Sequence, residues 1–283
     1  MKKVAVIILN YRVKDLTIRC IKSVLSSSYG NYLMVVVDNH SGDGIEKEIS
    51  NMPKTSFTQS GENLGYTGGN NLGIKKALQQ NVDYVFVLNP DTEVEGKTIE
   101  NLLKAAEENL ADIAGPKIYF KEKNKKIIWY AGGIFDRDNV LGSHKGVNEK
   151  DRGLYNQNEE TDFVTGAAIL IKSTVFDKIG LFDERYFLYL EDLDFCLRAK
   201  KAGLKVMYLP EAIVWHSNAQ STGLGSKLQD YYITRNRMLL ASKFLSLRTR
   251  IALFREVFKS IIDSTKRKAL IDFLTGSFGK GNI

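Results

Sequence analysis

Val4-Ala5-Val6-Ile7-Ile8-Leu9 is an unbroken apolar run rich in β-branched residues, and it stops at Asn10-Tyr11-Arg12. Six apolar residues that end on polar ones predict a strand buried on both faces, as a parallel sheet requires. The pattern returns twice: Leu33 to Val37 stops at Asp38-Asn39-His40-Ser41, and Tyr84 to Leu88 stops at Asn89-Pro90-Asp91. Helical periodicity fills Val13 to Ser27, and a glycine-rich segment opens a helix that reaches about Gln80. A short strand near Ser56 to Gln59, a helix over Lys97 to Asn109 and a strand over Asp112 to Ala114 continue the alternation, which predicts a doubly wound α/β domain.

Beyond Pro116 the rhythm changes. Apolar pieces are broken by Gly132-Gly133 and Gly142, and a polar stretch runs from Val147 to Thr161, which predicts loops and short antiparallel strands that shape a pocket. Strands are predicted at Ala167 to Ile171, Leu204 to Tyr208 and Ala212 to Trp215, with helices at Ser173 to Ile179 and from about Glu191 to Ala202. Beyond Leu224 the chain reads as helix throughout.

With 283 residues, 43% hydrophobic and 26% charged, the chain can bury a substantial core. The two cysteines, Cys20 and Cys196, fall in helical segments, so no disulfide framework or Cys-rich zinc site is expected and a reducing cytoplasm fits. Met1-Lys2-Lys3 before Val4 imitates a signal peptide, but its apolar run is too short. No stretch of about 18 apolar residues exists to cross a bilayer, so membrane contact is expected to be peripheral, at the inner face of the membrane. The net charge of +7 is uneven: from Lys227 onward 12 Lys and Arg stand against 4 Asp and Glu, and in the remainder 28 against 29. That asymmetry argues against a nucleic-acid binder and for a basic C-terminal appendage.

In an open α/β sheet ligands bind at the carboxyl ends of the strands, where this chain is consistently polar. Strand one lacks a following glycine fingerprint and no G-x-x-x-x-G-K-[ST] occurs, which disfavours dinucleotide and P-loop enzymes. Glu62 to Gly73 carries four glycines and three asparagines into a helix, a setting in which backbone N–H groups can meet a diphosphate. Asp91, directly after a strand, is placed to ligate a hard divalent cation that also holds phosphate oxygens. His216 is either a second ligand, favouring Mn²⁺ over Mg²⁺, or a structural histidine. Glu191-Asp192-Leu193-Asp194 opens a helix; on spacing alone its acids serve equally as helix N-terminal charge or as a general base at a pocket edge.

Together Ile8-Leu9-Asn10-Tyr11, Val37-Asp38-Asn39-His40-Ser41, Asn63-Leu64-Gly65-Tyr66-Thr67-Gly68-Gly69-Asn70-Asn71, Leu88-Asn89-Pro90-Asp91, Val164-Thr165-Gly166-Ala167, Phe182-Asp183-Glu184, Glu191-Asp192-Leu193-Asp194 and Val214-Trp215-His216 resemble the family 2 glycosyltransferases of GT-A fold, in particular their rhamnosyltransferase-like branch. The resemblance covers roughly Lys3 to His216. It implies a Rossmann-like mixed α/β sheet flanked by helices over residues 1–222, followed by a basic helical extension over 223–283.

The resemblance also implies roles. Asn10, Tyr11 and Asp38 would hold the nucleoside, and Asn63 to Asn70, Gly65 and Gly69 among them, the donor phosphates and sugar. Asp91 would bind Mg²⁺ or Mn²⁺, with Asn89 standing where the family often has an Asp. Asp192 would be the general base of a single inverting displacement, with Trp129, Gly132-Gly133, Thr165, Gly166 and Glu191 near the acceptor. The branch suggests dTDP-rhamnose as donor, with UDP-hexoses behind it, and a glycan or lipid-linked sugar as acceptor. A nucleotidyltransferase and a non-catalytic sugar-binding homologue are the alternatives. Arg235 or Arg237 either faces the diphosphate or is a solvated charge. The segment Leu247 to Leu274 reads as a basic amphipathic helix for a membrane surface, for the catalytic domain or for a second subunit of a homodimer.

Overall fold

The computed structural model describes residues 1–121, 126–217 and 226–281. The chain runs β1 (Val4–Asn10), α1 (Lys14–Leu25), β2 (Tyr32–Asp38), α2 (Ile45–Ile49), β3 (Thr55–Gln59), α3 (Gly65–Leu78), β4 (Tyr84–Leu88), β5 (Thr92–Val94), α4 (Thr98–Glu108) and β6 (Ile113–Phe120). It continues through β7 (Ile128–Tyr130), β8 (Gly133–Asp136), β9 (Leu141–His144), β10 (Glu159–Glu160), β11 (Ala168–Lys172), α5 (Ser173–Ile179), α6 (Glu191–Lys201) and β12 (Val206–His216). Three helices follow, α7 (Lys227–Phe244), α8 (Leu247–Lys259) and α9 (Ser264–Thr275).

The main sheet has the order β10-β12-β6-β11-β4-β1-β2-β3. Strands β3, β2, β1 and β4 are mutually parallel, as the unbroken apolar runs of β1, β2 and β4 predict. β11 enters antiparallel between β4 and β6, so the sheet is mixed. This reversal matters for function, because the start of β11 lies at the same edge as the end of β4: Ala168 pairs with Leu88, and Asn89 N–H donates to Ala167 C=O at 2.9 Å.

Pro116 does not end a strand. It lies inside β6, facing Leu209, and the register slip that a residue without N–H invites appears in β12 as a bulge between Leu209 and Ile213. The two pieces that the sequence divides at Pro210 are therefore one strand.

Side chains alternate across β1. Val4, Val6 and Ile8 pack with Cys20, Ile21 and Val24 of α1 and Leu102 of α4, whereas Ala5, Ile7 and Leu9 face Ile74 of α3 and the layer formed with Phe195 of α6 and Leu239 of α7. Both cysteines are buried and unbridged. A Cβ on Gly69 or Gly73 would sit about 2.5 Å from Leu9 or Ile7 side-chain atoms, so these glycines let α3 lie close on the sheet. The C-terminal helices are no loose appendage: Met238, Leu239 and Leu240 of α7, Leu253 and Val257 of α8 and Leu270 of α9 belong to the same buried cluster. The expected domain boundary at 222/223 lies outside the described residues.

Candidate active site

Three clusters meet the carboxyl edge of the parallel strands. In the first, Asn10 at the end of β1 is sealed from solvent, and its amide nitrogen donates to Asp38 Oδ1 at 2.9 Å, Ser41 Oγ at 3.0 Å and Asp43 Oδ2 at 3.0 Å. Its carbonyl oxygen accepts from the Thr17 hydroxyl at 2.7 Å, so the side chain expected to touch a nucleoside is committed within the protein and lies beneath Asp38. Asp38 also accepts from Ser41 N–H at 3.2 Å and Gln59 Nε2 at 3.0 Å. Burial pushes its carboxyl up, but these donors outweigh burial and hold it below its ordinary value. Tyr11 stands exposed at the rim, with the Arg12 guanidinium 5.2 Å from its ring centre.

The N–H groups at the start of α3 are already satisfied: Leu64 by Asn39 Oδ1 at 2.9 Å, Gly65 by Asn63 Oδ1 at 2.9 Å, and Tyr66 and Thr67 by Phe187 C=O at 2.7 and 3.3 Å. This helix end is capped by the protein. Gly65, at φ 71°, packs so tightly on Phe187 that a Cβ would lie 2.5 Å from its carbonyl oxygen, and Gly69 faces Leu9. Both glycines allow close packing at these positions. Asn70 is buried and donates to Tyr66 C=O at 2.9 Å.

The second cluster joins Asp91, just beyond β4, to His216, the last residue of β12. His216 Nε2 stands 3.5 Å from Asp91 Oδ1. Burial, with His144 nearby, lowers the His216 pKa to about 4, so the imidazole is neutral near pH 7 and the contact is neither an ion pair nor a hydrogen bond. Two donors each about 2.1 Å from one cation stand about 3–3.5 Å apart, so a carboxylate oxygen and a neutral imidazole at this separation fit one divalent ion. Among the described residues no group of three or more His, Cys, Asp or Glu is gathered for a metal. The pair therefore suits a cation whose shell is completed by phosphate oxygens. Trp129 stacks on the His216 ring with centroids 4.3 Å apart and planes at 15°, so it belongs to this cluster. Asn89 is half-buried at the rim.

The third cluster surrounds Asp192 at the start of α6. Its Oδ2 accepts from Gly166 N–H at 2.9 Å and its Oδ1 from its neighbour Leu193 N–H at 2.8 Å. Burial raises its pKa against the pull of these N–H groups. Glu191 is more deeply buried, its Oε2 has no hydrogen-bond partner among the described residues, and burial together with the Asp192 charge raises its pKa well above the ordinary range. Burial and the neighbouring Asp192 charge thus both bias Glu191 toward its neutral form. The Tyr66 hydroxyl donates to Gly166 C=O at 2.7 Å, and a Cβ at Gly166 would lie 2.5 Å from that hydroxyl oxygen. Thr165 is buried beside it.

Sequence reasoning missed how Asp192 is held. Residues 185–190 form a strap into α6 in which Phe187, Tyr189 and Leu190 have φ of 63°, 70° and 68°. Asn236 of α7 donates to the carbonyls of Tyr186, Leu188 and Tyr189 at 3.0, 2.8 and 2.9 Å. Arg235, fully buried, donates to those of Arg185 and Tyr186 at 3.1 and 3.0 Å and to Gly279 C=O at 2.8 Å. Arg235 is thus neither solvated nor turned to the cleft, and Arg237 pairs with Glu256 at 2.9 Å. Lys243 of α7 bridges Asp183 and Asp194. The signal was present as Tyr231-Tyr232 and Arg235-Asn236 on one helix, but nothing local says which carbonyls they reach.

The profile of glycosyl transferase family 2 matches residues 5–180, well over half of the chain. The chain belongs to this family. The transferase is 29% identical over 246 residues to the low-salt glycan biosynthesis hexosyltransferase Agl10 of Haloferax volcanii, covering 86% of this chain and 76% of the relative. It is 29% identical over 211 residues to the N-acetylglucosaminyl-diphospho-decaprenol L-rhamnosyltransferase of Mycobacterium tuberculosis, covering 67% of this chain and 68% of the relative. To the dTDP-rhamnosyl transferase RfbF of Shigella flexneri it is 23% identical over 252 residues, covering 85% and 82%. Its fold matches the crystal structure of GalNAc-T7 with UDP, GalNAc and Mn²⁺ at a TM-score of 0.66 and 16% identity, over 84% of this chain and 51% of that one. It also matches S. aureus TarS at 0.60 and 15%, over 96% and 43%. The transferase thus spans about half or less of those solved chains and shares with them the GT-A fold. Among the described residues no helix is long and apolar enough to cross a membrane.

Proposed function

We propose that this transferase is an inverting enzyme that moves a deoxyhexose or hexose, with rhamnose from dTDP-rhamnose the first choice, onto a hydroxyl of a lipid-linked or glycan sugar. The observation that carries the reading is the Asp192 carboxylate, held by the Gly166 and Leu193 N–H groups at the site edge above the buried Glu191. Asp192 takes the proton of the acceptor hydroxyl as its oxygen forms the bond to the anomeric carbon, and the bond to the nucleoside diphosphate breaks on the opposite face. Burial biases Glu191 toward its neutral form, and the raised pKa of Asp192 suits it to take a proton. Asp38, aimed by Asn10 and Gln59, faces the nucleoside side.

Asp91 and His216 would hold a divalent cation, which when bound neutralises charge on the departing diphosphate. The names of RfbF and of the mycobacterial relative support rhamnose and a polyprenyl-diphosphate sugar acceptor. Agl10, a hexosyltransferase, supports a hexose as the second reading. The test is calorimetry with dTDP-rhamnose, UDP-glucose and UDP-GlcNAc, with Mn²⁺ or Mg²⁺ and again with EDTA, on the wild type and on Asp192→Asn. Metal-dependent binding of one donor by both proteins, with transfer lost only in the variant, is the expected result. A variant that still turns over at the wild-type rate removes Asp192 from the mechanism.

A further inference from the structure

The outer face of α8 is apolar and uncovered. Steps of four, three and four residues place Leu247, Ile251, Phe254 and Phe258 within an arc of about 60° on the helix. They are 70%, 44%, 38% and 55% exposed, and Ile262 in the following turn is 92% exposed. The Phe254 and Phe258 rings stack 6.2 Å apart. The side that faces the protein is a separate arc, carrying the buried Leu253 and Val257. A helix that has already buried one face in the core gains nothing internally from a second apolar face, so this ridge has an external occupant.

Charge identifies it. Arg248, Arg255 and Lys259 follow the ridge on one flank, all exposed. The acids of the segment are engaged elsewhere: Glu256 pairs with Arg237, Asp272 is buried against the Tyr231 hydroxyl at 2.5 Å, and Asp263 caps α9 through the Thr265 and Lys266 N–H groups. A two-fold contact between copies of the chain would bring the same cationic flank against itself with no acid to offset it. An apolar ridge beside cations instead matches the boundary between acyl chains and anionic headgroups.

We infer that α8 is a docking surface for an anionic lipid bilayer, with Phe254 and Phe258 inserted and Arg248, Arg255 and Lys259 on the headgroups. The docking stands whichever sugar is transferred, and it places the site on the surface where a lipid-linked acceptor resides. The test is flotation of the full chain with vesicles of phosphatidylcholine alone or with 30 mol% phosphatidylglycerol, about the anionic fraction at which such electrostatic docking is read. Partition onto the anionic vesicles is expected, falling at least about tenfold in Phe254→Gln/Phe258→Gln, which removes the inserted area. In Arg248→Gln/Arg255→Gln/Lys259→Gln it is expected to fall roughly a hundredfold, at about fivefold per charge. Because the substituted side chains are exposed, donor binding by calorimetry stays at the wild-type level in both variants and separates lost docking from lost folding. Three results overturn the inference: no flotation on anionic vesicles at low salt, flotation that neither variant weakens, or a dimer in sedimentation that Phe254→Gln/Phe258→Gln dissociates.

Discussion

Replacing Asn236 by Ala tests whether the C-terminal helices position Asp192, the proposed base. The substitution removes three donated hydrogen bonds, to the carbonyls of Tyr186, Leu188 and Tyr189. The Tyr186 carbonyl keeps Arg235, at 3.0 Å, whereas no other donor to that of Leu188 is present among the described residues. A buried carbonyl left without a donor costs about 1–3 kcal/mol, and each further lost bond about 0.5–1.5 kcal/mol. The strap these bonds restrain holds three non-glycine residues at positive φ, each a conformation that costs about 1–3 kcal/mol, so it has a reason to relax once released. The total centres on about 4 kcal/mol, a fall in Tm of roughly 8–16 °C for a chain of this size. The strap leads directly into Glu191 and Asp192 and caps α3 through Phe187 C=O, so kcat falls with stability, by up to about a hundredfold if Asp192 moves by about 1 Å. Differential scanning fluorimetry reads the first effect and transfer kinetics at saturating donor the second. A Tm within about 2 °C of wild type refutes the stability argument, and a lowered Tm with unchanged kcat below the transition refutes the link from α7 to the base.

Asp192→Asn keeps donor affinity within about twofold and lowers turnover by about 10²–10⁴, the usual worth of a general base, read by calorimetry and a transfer assay side by side. Because the Asp192 pKa is raised and the base acts deprotonated, kcat/KM rises with pH through an acid limb whose midpoint lies above 3.8; a midpoint at or below that value is incompatible with the burial described. Asp91→Asn removes the carboxylate facing His216 and is expected to abolish any gain in donor affinity on adding Mn²⁺, and an unchanged gain places the cation elsewhere. Gly65→Ala forces a Cβ to 2.5 Å from Phe187 C=O at φ 71°, and is expected to lower Tm more than Gly61→Ala, where no atom lies within 4 Å although φ is also positive. Asp151, buried near Lys117, is held down at about 2 by the Tyr119 hydroxyl, Gly153 N–H and Lys117 against the opposing effect of burial. A depressed carboxylate stabilises the fold above its unfolded pKa near 4 and loses that contribution as pH falls toward about 2, so acid unfolding begins at higher pH in Asp151→Asn.

Residue patterns made the parallel half of the sheet readable because β1, β2 and β4 are each a run of apolar residues closed by polar ones, a signal contained in ten residues or fewer. The ends of those runs also marked Asp38 and Asp91 as residues at a ligand edge, whereas Asp192 stood out as an acid at the start of a helix. β11 was legible as a strand but not as an antiparallel one, since direction within a sheet depends on partners some 80 residues away in β4. Pro116 misled for a related reason: a proline is a breaker unless a bulge in the partner strand absorbs its missing N–H, and that bulge lies in β12.

Composition and the order of the motifs were enough to set the fold class, the family resemblance and the candidate carboxylates, because these follow from residue type and short-range periodicity. Which groups are free to meet a ligand followed from long-range contacts. Asn10 bonds Asp38 and Asp43, the start of α3 is capped by Phe187, and Gly69 is pressed on Leu9, each through a residue distant in sequence. The charges divided in the same way. Glu191 and Asp192 are neighbours of like chemistry, and only the tertiary structure sets Gly166 N–H against Asp192 and buries Glu191 with no partner for its Oε2 among the described residues.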